Sequence, residues 1–443
     1  MLDDVDPGGP QTIVVLGSDR RFQDGAKTPV RADTVLLVRL DPDKGATAVM
    51  SLPRDLQVTI PGHGIDKINA AYAYGGPKLT VATVREYLAP YSPTGTFPIH
   101  HAVNINFGGF QRAVNRLGCV YMDVDRRYFN DNNPPFGGGG RYAVIDVPSG
   151  YQKLCGQDSL DFVRFRHLDS DLVRGARQQE YLRQAKDQIG VSKLLEDRKE
   201  LFRIFGRYTQ TDIKGSKAIL RLIKLTIDSA QKPLQEVQFP GEVNGQYVVA
   251  GQAGLRRAVQ RFLNAKGSPT TTRGSAPAQS DADRQTGSRK KRKLAPTANI
   301  VAARKEGEDV AIELAPKLSL PVYYPKVKLS GSFARPTHSR AYVLKDRQNH
   351  KYDSYRMVVQ TRLIGQYYGV QGTEWMAPPI LDNPTEEREI VGRKYLIYKD
   401  GSRIRMIAWK TRRGSYWVSN TLLQTVGNRQ MLAIARSLSR IGT

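Results

Sequence analysis

The sequence predicts a layered α/β domain over residues 10–265 and a smaller α+β domain over residues 317–443. Short apolar runs alternate with helical segments in the first region, which favours strands and helices stacked in layers. In the second region apolar and polar residues alternate across turns at Asp400-Gly401 and Arg413-Gly414, which indicates an antiparallel meander. Residues 266–299 contain almost no large apolar residue and predict a disordered basic linker.

Individual elements of the first domain follow from local patterns. The run TIVVLG (12–17) is apolar and β-branched and ends in Gly, as expected for a buried strand. The segment TVLLVRLDPDKGATAVMSLP (34–53) predicts two strands joined at the turn DPDKG. A helix in two pieces is predicted over 68–90, broken at Gly75-Gly76-Pro77. Residues 107–125 predict a helix that ends near Gly118, followed by a strand.

Several large aromatic residues lie in the second domain, which shows no catalytic constellation. We interpret them as core residues, and a sugar-stacking platform is the alternative. They are Tyr367, Tyr368, Trp375, Trp409 and Trp417.

The formal net charge of the 443-residue chain is +25. Such a charge implies an anionic partner, which could be nucleic acid, a membrane surface, a phosphorylated small molecule or an anionic polymer. The basic run at 289–293 lies in the linker without interleaved aromatic residues or a nucleic-acid-binding motif. We therefore interpret that run as solvated charge or as a contact with an anionic membrane, rather than as a nucleic-acid site.

Two carboxylates flank predicted strand ends in the first domain. Asp19 follows the first strand, and Asp33 precedes the second. Carboxylates at strand ends are well placed to share a divalent cation, and their hard oxygen atoms suit Mg²⁺ or Mn²⁺. The alternative is that both are ordinary loop residues.

Two further stretches contribute arginines. In SLPRDL (51–56), Arg54 and Asp55 come directly after a predicted strand, so Arg54 would point from the sheet edge into a cleft. In DFVRFRHLDSDLVRGARQQ (161–179), Arg164 and Arg166 are two residues apart. One helical face cannot present both of them, so the segment is extended there or a helix ends close to Arg164.

The same stretch continues into a predicted helix. Asp171, Arg174 and Gln178 follow at helical spacing and line one face of it. Arginine is suited to bidentate recognition of phosphate and keeps its charge at any physiological pH. The alternative is a structural network of these arginines with Asp169, Asp171 and Glu180.

Together, two carboxylates, several arginines and an implied metal are the groups needed to bind and transfer a pyrophosphate. The sequence contains no Walker A, protein-kinase or HExxH motif. Its two cysteines, Cys119 and Cys155, lack CxxC spacing. Their count alone leaves open a single structural disulfide or two unrelated buried thiols.

Five stretches, in order and spacing, resemble the LytR-CpsA-Psr family of bacterial cell-envelope proteins. They are VVLGSDRR, RADTVLLVRLDPDKGATAVMSLPRD, DKINAAYAYGG, FGGFQRAVNRLGCV and LCGQDSLDFVRFRHLDSDLVRGARQQ. The resemblance covers roughly residues 10–260 and implies an α-β-α layered domain with a central mixed sheet and a long apolar pocket for a polyprenyl chain. It also implies a Mg²⁺-dependent phosphotransferase that moves a polyprenyl-pyrophosphate-linked glycopolymer onto peptidoglycan with phosphodiester formation.

Carried onto this sequence, the resemblance implies a metal site at Asp19 and Asp33, with Asp33 also a candidate base on the acceptor hydroxyl. Together with Asp33, the expected catalytic residues are Arg54, Arg164 and Arg166. The pyrophosphate-binding residues that it implies are Arg20, Arg54, Arg164, Arg166, Arg174 and Gln178.

The resemblance also favours a Cys119–Cys155 disulfide, because family members act outside the cytoplasmic membrane, where thiols can oxidise. It places the protein at the extracytoplasmic face of the membrane, with an anionic membrane surface as a partner, and it argues against nucleic acid. Members usually carry an N-terminal transmembrane helix. No window here approaches the ~20 apolar residues of a span, so we expect that anchor to be absent from this chain.

Two other functions remain open at this point. The first is hydrolysis of a polyprenyl pyrophosphate, with water as the acceptor. The second is non-catalytic binding of an anionic wall polymer, which would give a steep salt dependence and no requirement for Asp19 or Asp33.

Overall fold

The computed structural model describes residues 8–18, 32–131, 143–165, 169–213, 225, 234–266, 299–390 and 392–442. These residues form two compact units. The first unit comprises the described residues up to 122, together with 127–148 and 152–266. The second comprises 123–126, 149–151 and 299–442.

Before residue 267 the described strands are β1 (Gln11–Ser18), β2 (Ala32–Asp41), β3 (Ala46–Leu52), β4 (Gln57–Ile60), β5 (Gly64–Lys67), β6 (His101–Asn106), β7 (Val120–Val124), β8 (Tyr128–Asn130), β9 (Ile145–Val147), β10 (Gly150–Leu154), β11 (Thr209–Thr211), β12 (Leu234–Glu236), β13 (Gly241–Asn244) and β14 (Tyr247–Ala250). The helices are α1 (Ile68–Leu88), α2 (Phe107–Arg116), α3 (Gly156–Arg164), α4 (Asp171–Gln188), α5 (Val191–Glu196), α6 (Arg198–Tyr208) and α7 (Gln252–Leu263).

A six-stranded mixed sheet forms the centre of the first unit, in the order β11-β6-β1-β2-β3-β12. Strand β1 pairs antiparallel with β2 and parallel with β6. Strand β3 pairs antiparallel with β2 and parallel with β12. The predicted central mixed sheet is therefore confirmed, including the strand pair joined at DPDKG.

Helices cover both faces of this sheet, as β1 illustrates. Successive strand residues point to opposite faces. Val14 and Leu16 pack in the larger core cluster, to which α1 and α7 contribute. Ile13 and Val15 belong to a smaller cluster that includes Phe205 of α6. The first unit is accordingly the α-β-α layered domain that was expected.

The predicted break in the first helix is also present. Gly75 and Gly76 depart from helical geometry inside α1, just before Pro77. Gly76 has φ near +63°, a left-handed conformation that glycine adopts without the steric penalty of a Cβ atom.

After residue 298 the strands are β15 (Ile300–Ala302), β16 (Val322–Tyr324), β17 (Val327–Leu329), β18 (Phe333–Ala334), β19 (Arg340–Lys345), β20 (Lys351–Gln360), β21 (Tyr367–Thr373), β22 (Glu386–Ile390), β23 (Arg393–Asp400), β24 (Arg403–Thr411), β25 (Gly414–Ser419) and β26 (Ser439–Ile441). Helices α8 (Arg304–Leu314) and α9 (Asn428–Ser437) accompany them.

An eight-stranded antiparallel sheet dominates the second unit, in the order β18-β20-β21-β25-β24-β23-β22, with β19 also paired to β20. The predicted meander is its β23–β24–β25 portion. Both helices contribute to the core cluster on this sheet, through residues such as Val310 and Met431. The unit is therefore of the α+β class, as predicted.

Most of the predicted core aromatics of this unit are buried, as the core interpretation requires. Tyr367, Tyr368, Trp409 and Trp417 are all inaccessible to solvent or nearly so. Trp375 is an exception, because it is only half-buried and its ring stacks on that of Tyr352 at a centroid distance of 5.7 Å.

The boundaries of the second unit differ from the prediction in two ways. Its regular structure begins at Ile300, before the predicted start at residue 317. The sequence did not predict this segment, because α8 buries few residues along a charge-rich stretch and gives a weak apolar pattern. The segments 123–126 and 149–151 belong to it as well. Within this unit the Asp123 carboxylate accepts hydrogen bonds from Arg356 and Trp417 at 3.0 and 3.1 Å. The predicted linker falls almost entirely outside the described residues.

Among the described helices, none combines the length and apolar character needed to cross a lipid bilayer.

Candidate active site

The SLPRD stretch forms a turn at the carboxyl end of β3. The amide of Leu56 donates to the carbonyl of Pro53 at 3.1 Å and closes the turn. The amide of Asn69, in the first turn of α1, donates to the carbonyl of Arg54 at 3.2 Å. Arg54 is therefore held between the end of the central sheet and the start of a helix, as the sequence predicted for a group at the sheet edge.

Asp55 lies between two cationic side chains. Its Oδ1 atom is 3.6 Å from Arg54 Nε and 3.1 Å from Lys67 Nζ. Lys67 is the last residue of β5 and precedes α1. Lys67 is not among the site residues expected from the sequence, so its place beside Asp55 is a finding of the structure.

Helix α4 brings the second arginine stretch to the same place. Asp171 Oδ2 accepts a hydrogen bond from the amide of Asp55 at 3.1 Å. Its Oδ1 atom is 2.9 Å from Arg174 Nη2, and the Arg174 side chain is almost fully buried. The structure thus brings Arg54 and Arg174 together through Asp55 and Asp171, although the two motifs lie more than a hundred residues apart in sequence.

A glycine permits the close approach of α4 to β3. A Cβ atom on Gly175 would lie 3.3 Å from Ser51 Oγ, which is closer than most Cβ atoms come to a neighbouring atom in folded proteins.

Ser170 is the N-cap residue of α4, since its hydroxyl accepts a hydrogen bond from the amide of Val173 at 3.3 Å.

Gln178 lies one turn beyond Arg174 and links three elements. Its amide nitrogen donates to Thr34 Oγ1 at 3.0 Å and to the carbonyl of Val163 at 3.2 Å. Its carbonyl oxygen accepts from the Ser51 hydroxyl at 3.4 Å. The predicted placement of Gln178 at the site is consistent with this position, but its polar atoms are already engaged with β2, β3 and α3.

Arg164 is the last residue of α3, which agrees with the expectation that a helix ends there. Its Nε and Nη2 atoms both donate to Asp161 Oδ1, at 2.9 and 2.5 Å. Its guanidinium also lies 5.3 Å from the ring centre of Phe107. The partner of Arg164 is therefore Asp161, which is not among the carboxylates of the ion-pair network considered from the sequence, although its i, i+3 spacing in α3 could have revealed it.

The remaining predicted residues are described in part or not at all. Asp33 lies inside β2, rather than before it, and its side chain falls outside the described part of the structure. Ser18, which precedes Asp19 in sequence, pairs across the sheet with Ala32, which precedes Asp33. Asp19, Arg20 and Arg166 themselves lie outside the described residues.

Within the described ranges, no cluster of three or more His, Cys, Asp or Glu residues could hold a metal ion. The carboxylates that the family resemblance implies for Mg²⁺ are those of Asp19 and Asp33. This donor set is hard and oxygen-only, as Mg²⁺ prefers, and such sites usually complete their shell with water and substrate phosphate.

The predicted disulfide between Cys119 and Cys155 is present. It connects the residues that follow α2 to the residue before α3. Next to it, the amide of Gly156 donates to Asn115 Oδ1 at 2.8 Å. The start of α3, the helix that ends in Arg164, is thereby fixed to the end of α2.

Arg177 is not among the site residues expected from the sequence, yet the structure gives it a prominent place. It lies on α4 and is fully buried with Asp169, with 2.5 Å between Arg177 Nη1 and Asp169 Oδ2. Burial by itself lowers the pKa of this guanidinium, but Tyr128 and Asp169 outweigh that effect and raise the pKa above its ordinary value. Arg177 therefore stays charged in the interior.

Comparison with known proteins finds relatives that are described as teichoic acid transferases. The polyisoprenyl-teichoic acid–peptidoglycan teichoic acid transferase TagU of Oceanobacillus iheyensis is 31% identical over 251 residues, which cover 54% of this chain and 71% of TagU. The corresponding transferase TagT of Bacillus subtilis is 35% identical over 185 residues, which cover 41% of this chain and 53% of TagT. The chain thus spans about half of the length of TagT.

A solved structure of TagT bound to LIIa-WTA is 26% identical and covers 59% of this chain and 93% of that chain, with a TM-score of 0.44. The model of the LytR-CpsA-Psr family matches residues 2–265, which is more than half of the sequence. The chain belongs to the LytR-CpsA-Psr family.

Proposed function

We propose that the first unit is a Mg²⁺-dependent phosphotransferase that moves a glycopolymer from a polyprenyl pyrophosphate onto peptidoglycan. The observation that carries this proposal is the Asp55–Asp171 hydrogen bond, which brings Arg54 and Arg174 to one end of the central sheet. Membership of the family and the transferase names of its relatives support the reaction class.

The described charges suit a pyrophosphate. Arg54, Lys67 and Arg174 are cations held in place by the carboxylates of Asp55 and Asp171. Fixed cations stabilise the charge on a transferred phosphoryl group and on the departing phosphate, because they need no reorganisation during the reaction. Arg20 and Arg166, which neighbour the site in sequence, are proposed to complete the set with Arg164.

In the proposed reaction a peptidoglycan hydroxyl oxygen attacks the phosphorus that carries the polymer. The new P–O bond forms as the bridging P–O bond of the pyrophosphate breaks, and polyprenyl phosphate departs with the bonding electrons. Asp33 is the proposed acceptor of the hydroxyl proton, and Arg54, Arg164, Arg166 and Arg174 orient the two phosphates. Mg²⁺ at Asp19 and Asp33 would supply further neutralisation of phosphate charge.

We also infer that the protein acts outside the cytoplasm, at a membrane surface. The Cys119–Cys155 disulfide supports the first part, because such bonds persist mainly in oxidising compartments. Helix α7 supports the second. Arg256, Arg257 and Arg261 are exposed on it, while its apolar face, with Leu255 and Phe262, is buried in the core. No described residue forms an ion pair with these three arginines, so they are available to anionic lipid headgroups.

The proposed reaction is tested by incubating the protein with a polyprenyl-pyrophosphate-linked glycan and a peptidoglycan oligomer, followed by mass spectrometry of the products. A phosphodiester-linked glycan–peptidoglycan product that disappears with EDTA and returns with Mg²⁺ is expected. Release of free glycan phosphate without linkage would indicate a hydrolase. Binding without turnover would indicate a polymer-binding protein.

A further inference from the structure

Arg177 makes polar contacts with Asp169 and with the backbone of Phe165 in the interior of the first unit. Its Nη1 atom donates to Asp169 Oδ2 at 2.5 Å, and its Nη2 atom donates to the carbonyl oxygen of Phe165. The side chains of Arg177 and Asp169 are both 0% exposed. One planar guanidinium therefore ties together two points of the chain by its fixed fork of N–H groups.

Three aromatic rings enclose this guanidinium. Its carbon lies 4.6, 5.8 and 5.9 Å from the ring centres of Tyr128, Phe162 and Phe165. The Tyr128 ring meets those of Phe162 and Phe165 edge-on, and all three side chains are buried. The rings fix the plane of the guanidinium, so its two N–H directions have little freedom.

Stability alone gives little reason for an arginine at this position. Desolvating each member of a buried ion pair costs several kcal/mol, and apolar residues of similar volume often stabilise a fold equally well. The interior here is already aromatic. A buried guanidinium in such surroundings is better explained by the geometry that it imposes.

The two points that Arg177 joins lie between the arginine-bearing helices. Phe165 directly follows Arg164, the last residue of α3. Asp169 lies two residues before Asp171, the first residue of α4. Arg177 itself lies on α4, between Arg174 and Gln178 in sequence. Its contacts therefore set the end of α3 against the start of α4.

We propose that Arg177 is a positioning residue, which holds Arg164 at the end of α3 at a fixed spacing from Arg174 on α4. Because its side chain is fully buried, Arg177 does not contact the pyrophosphate or the acceptor hydroxyl and acts only through these two arginines. The inference rests on the proposed function, because the spacing matters only if both arginines bind one pyrophosphate. Misplacing a binding group by about 1 Å can lower the rate by about 100-fold.

The test separates positioning from stability by replacing the whole pair. In Arg177→Met/Asp169→Leu, apolar side chains fill the aromatic enclosure and leave no unpaired charge. The Phe165 carbonyl loses its donor, so the melting temperature should fall by about 10 °C at most and the protein should stay folded. We expect kcat/KM for the polyprenyl-pyrophosphate donor to fall about 100-fold, with the KM for the peptidoglycan acceptor unchanged. Arg177→Lys, which can reach one of the two partners but not both, should recover part of the loss.

A matched control lies on the same helix. Arg183 Nε is 3.3 Å from the buried Glu236 carboxylate, and Arg183 also pairs with Glu180. Arg183→Met/Glu236→Met removes a largely buried pair without touching the end of α3 or the start of α4, and Glu180 keeps its hydrogen bond from Gln184. It should leave donor kinetics unchanged.

Wild-type donor kinetics in a folded Arg177→Met/Asp169→Leu protein would overturn the inference. An equal loss of activity in the Arg183 control would do the same, since the effect would then be general. If the double variant does not fold, Arg177→Lys decides by the same donor-specific loss in kcat/KM. A wild-type protein that transfers nothing refutes the proposed function instead, and titration of a short-chain prenyl pyrophosphate then shows whether the arginines bind it at all.

Discussion

The carboxylate of Asp171 accepts a hydrogen bond from the backbone amide of Asp55 at 3.1 Å and also holds Arg174 at 2.9 Å. One side chain thus joins the turn after β3 to the first turn of α4. Because each motif contributes an arginine, the relative position of those arginines depends on Asp171. The described part of the site is therefore built around a carboxylate, with the arginines arranged about it.

Replacing Asp171 should separate its two tasks. Asp171→Asn keeps an oxygen that can accept from the Asp55 amide but loses the charge that holds Arg174, whereas Asp171→Ala loses both. We expect donor kcat/KM to fall about tenfold in the first variant and further in the second, since a hydrogen bond to a charged group contributes about 1.5–3 kcal/mol. Steady-state kinetics at several donor concentrations measure this. Equal activity in both variants and wild type would contradict the assignment.

Gln178 should matter for stability as well as for binding. Gln178→Ala leaves the Val163 carbonyl and the Thr34 and Ser51 hydroxyls without their present partner. Unsatisfied buried polar groups cost about 1–3 kcal/mol, so the free energy of unfolding should fall by about that amount. The neighbouring Gln179→Ala is the control, because among the described residues the Gln179 side chain makes a single hydrogen bond, of 3.4 Å, to the Val237 carbonyl. Urea unfolding of both variants tests the difference, and equal losses would count against it.

Removing the Cys119–Cys155 bond should destabilise the first unit. The two residues are 36 apart in sequence, and a loop of that size corresponds to about 4 kcal/mol in the chain-entropy model. Denaturant unfolding of Cys119→Ser/Cys155→Ser should therefore show a lower midpoint. Wild type with reductant should match the variant, and the variant itself should not respond to reductant. A midpoint that is the same with and without the bond would show that the disulfide contributes nothing.

The exposed arginines of α7 should contribute to binding of anionic membranes. At about 1 kcal/mol for each basic residue near such a surface, Arg256→Gln/Arg257→Gln/Arg261→Gln should weaken binding to phosphatidylglycerol vesicles on the order of 100-fold. The comparison variant Lys199→Gln/Arg203→Gln/Arg207→Gln removes the same charge from the exposed side of α6 and should have a smaller effect.

Vesicle co-sedimentation of the full chain at fixed ionic strength measures this, with phosphatidylcholine vesicles as the uncharged reference. Equal weakening by the α6 and α7 variants would mean that only net charge matters. Retention on anionic wall polymer in place of vesicles would point to the polymer as the partner of α7.

The sequence was most informative where burial dictates the pattern. The β1 run is apolar because both of its faces are covered, and the two-piece α1 follows from Gly75, Gly76 and Pro77. Helix α8 was not predicted, because most of its residues are charged or exposed. Its buried residues are Gly307, Val310, Ala311 and Leu314. Ion pairs within the second unit, such as that of Asp123 with Arg356, could not be predicted either, because their partners are far apart in sequence.

The candidate site shows the same division. Residue types and spacing grouped Arg54, Arg164, Arg174 and Gln178 as a predicted set. The structure brings Arg54 near Arg174. The contacts that hold them, through Asp55, Asp161 and Asp171, depend on which strands and helices become neighbours. Arg177 could not be distinguished from the other arginines by sequence, since burial is what separates its role from theirs.

The most direct test of the central claim, that arginines from two distant motifs serve one pyrophosphate, is single-turnover transfer with a radiolabelled polyprenyl-pyrophosphate glycan. The account predicts that Arg54→Ala and Arg174→Ala each lower the rate of peptidoglycan labelling by at least 100-fold. Both variants should remain folded, and Arg203→Ala on α6 should retain the wild-type rate. Wild-type labelling by a folded Arg54→Ala or Arg174→Ala variant would contradict the account.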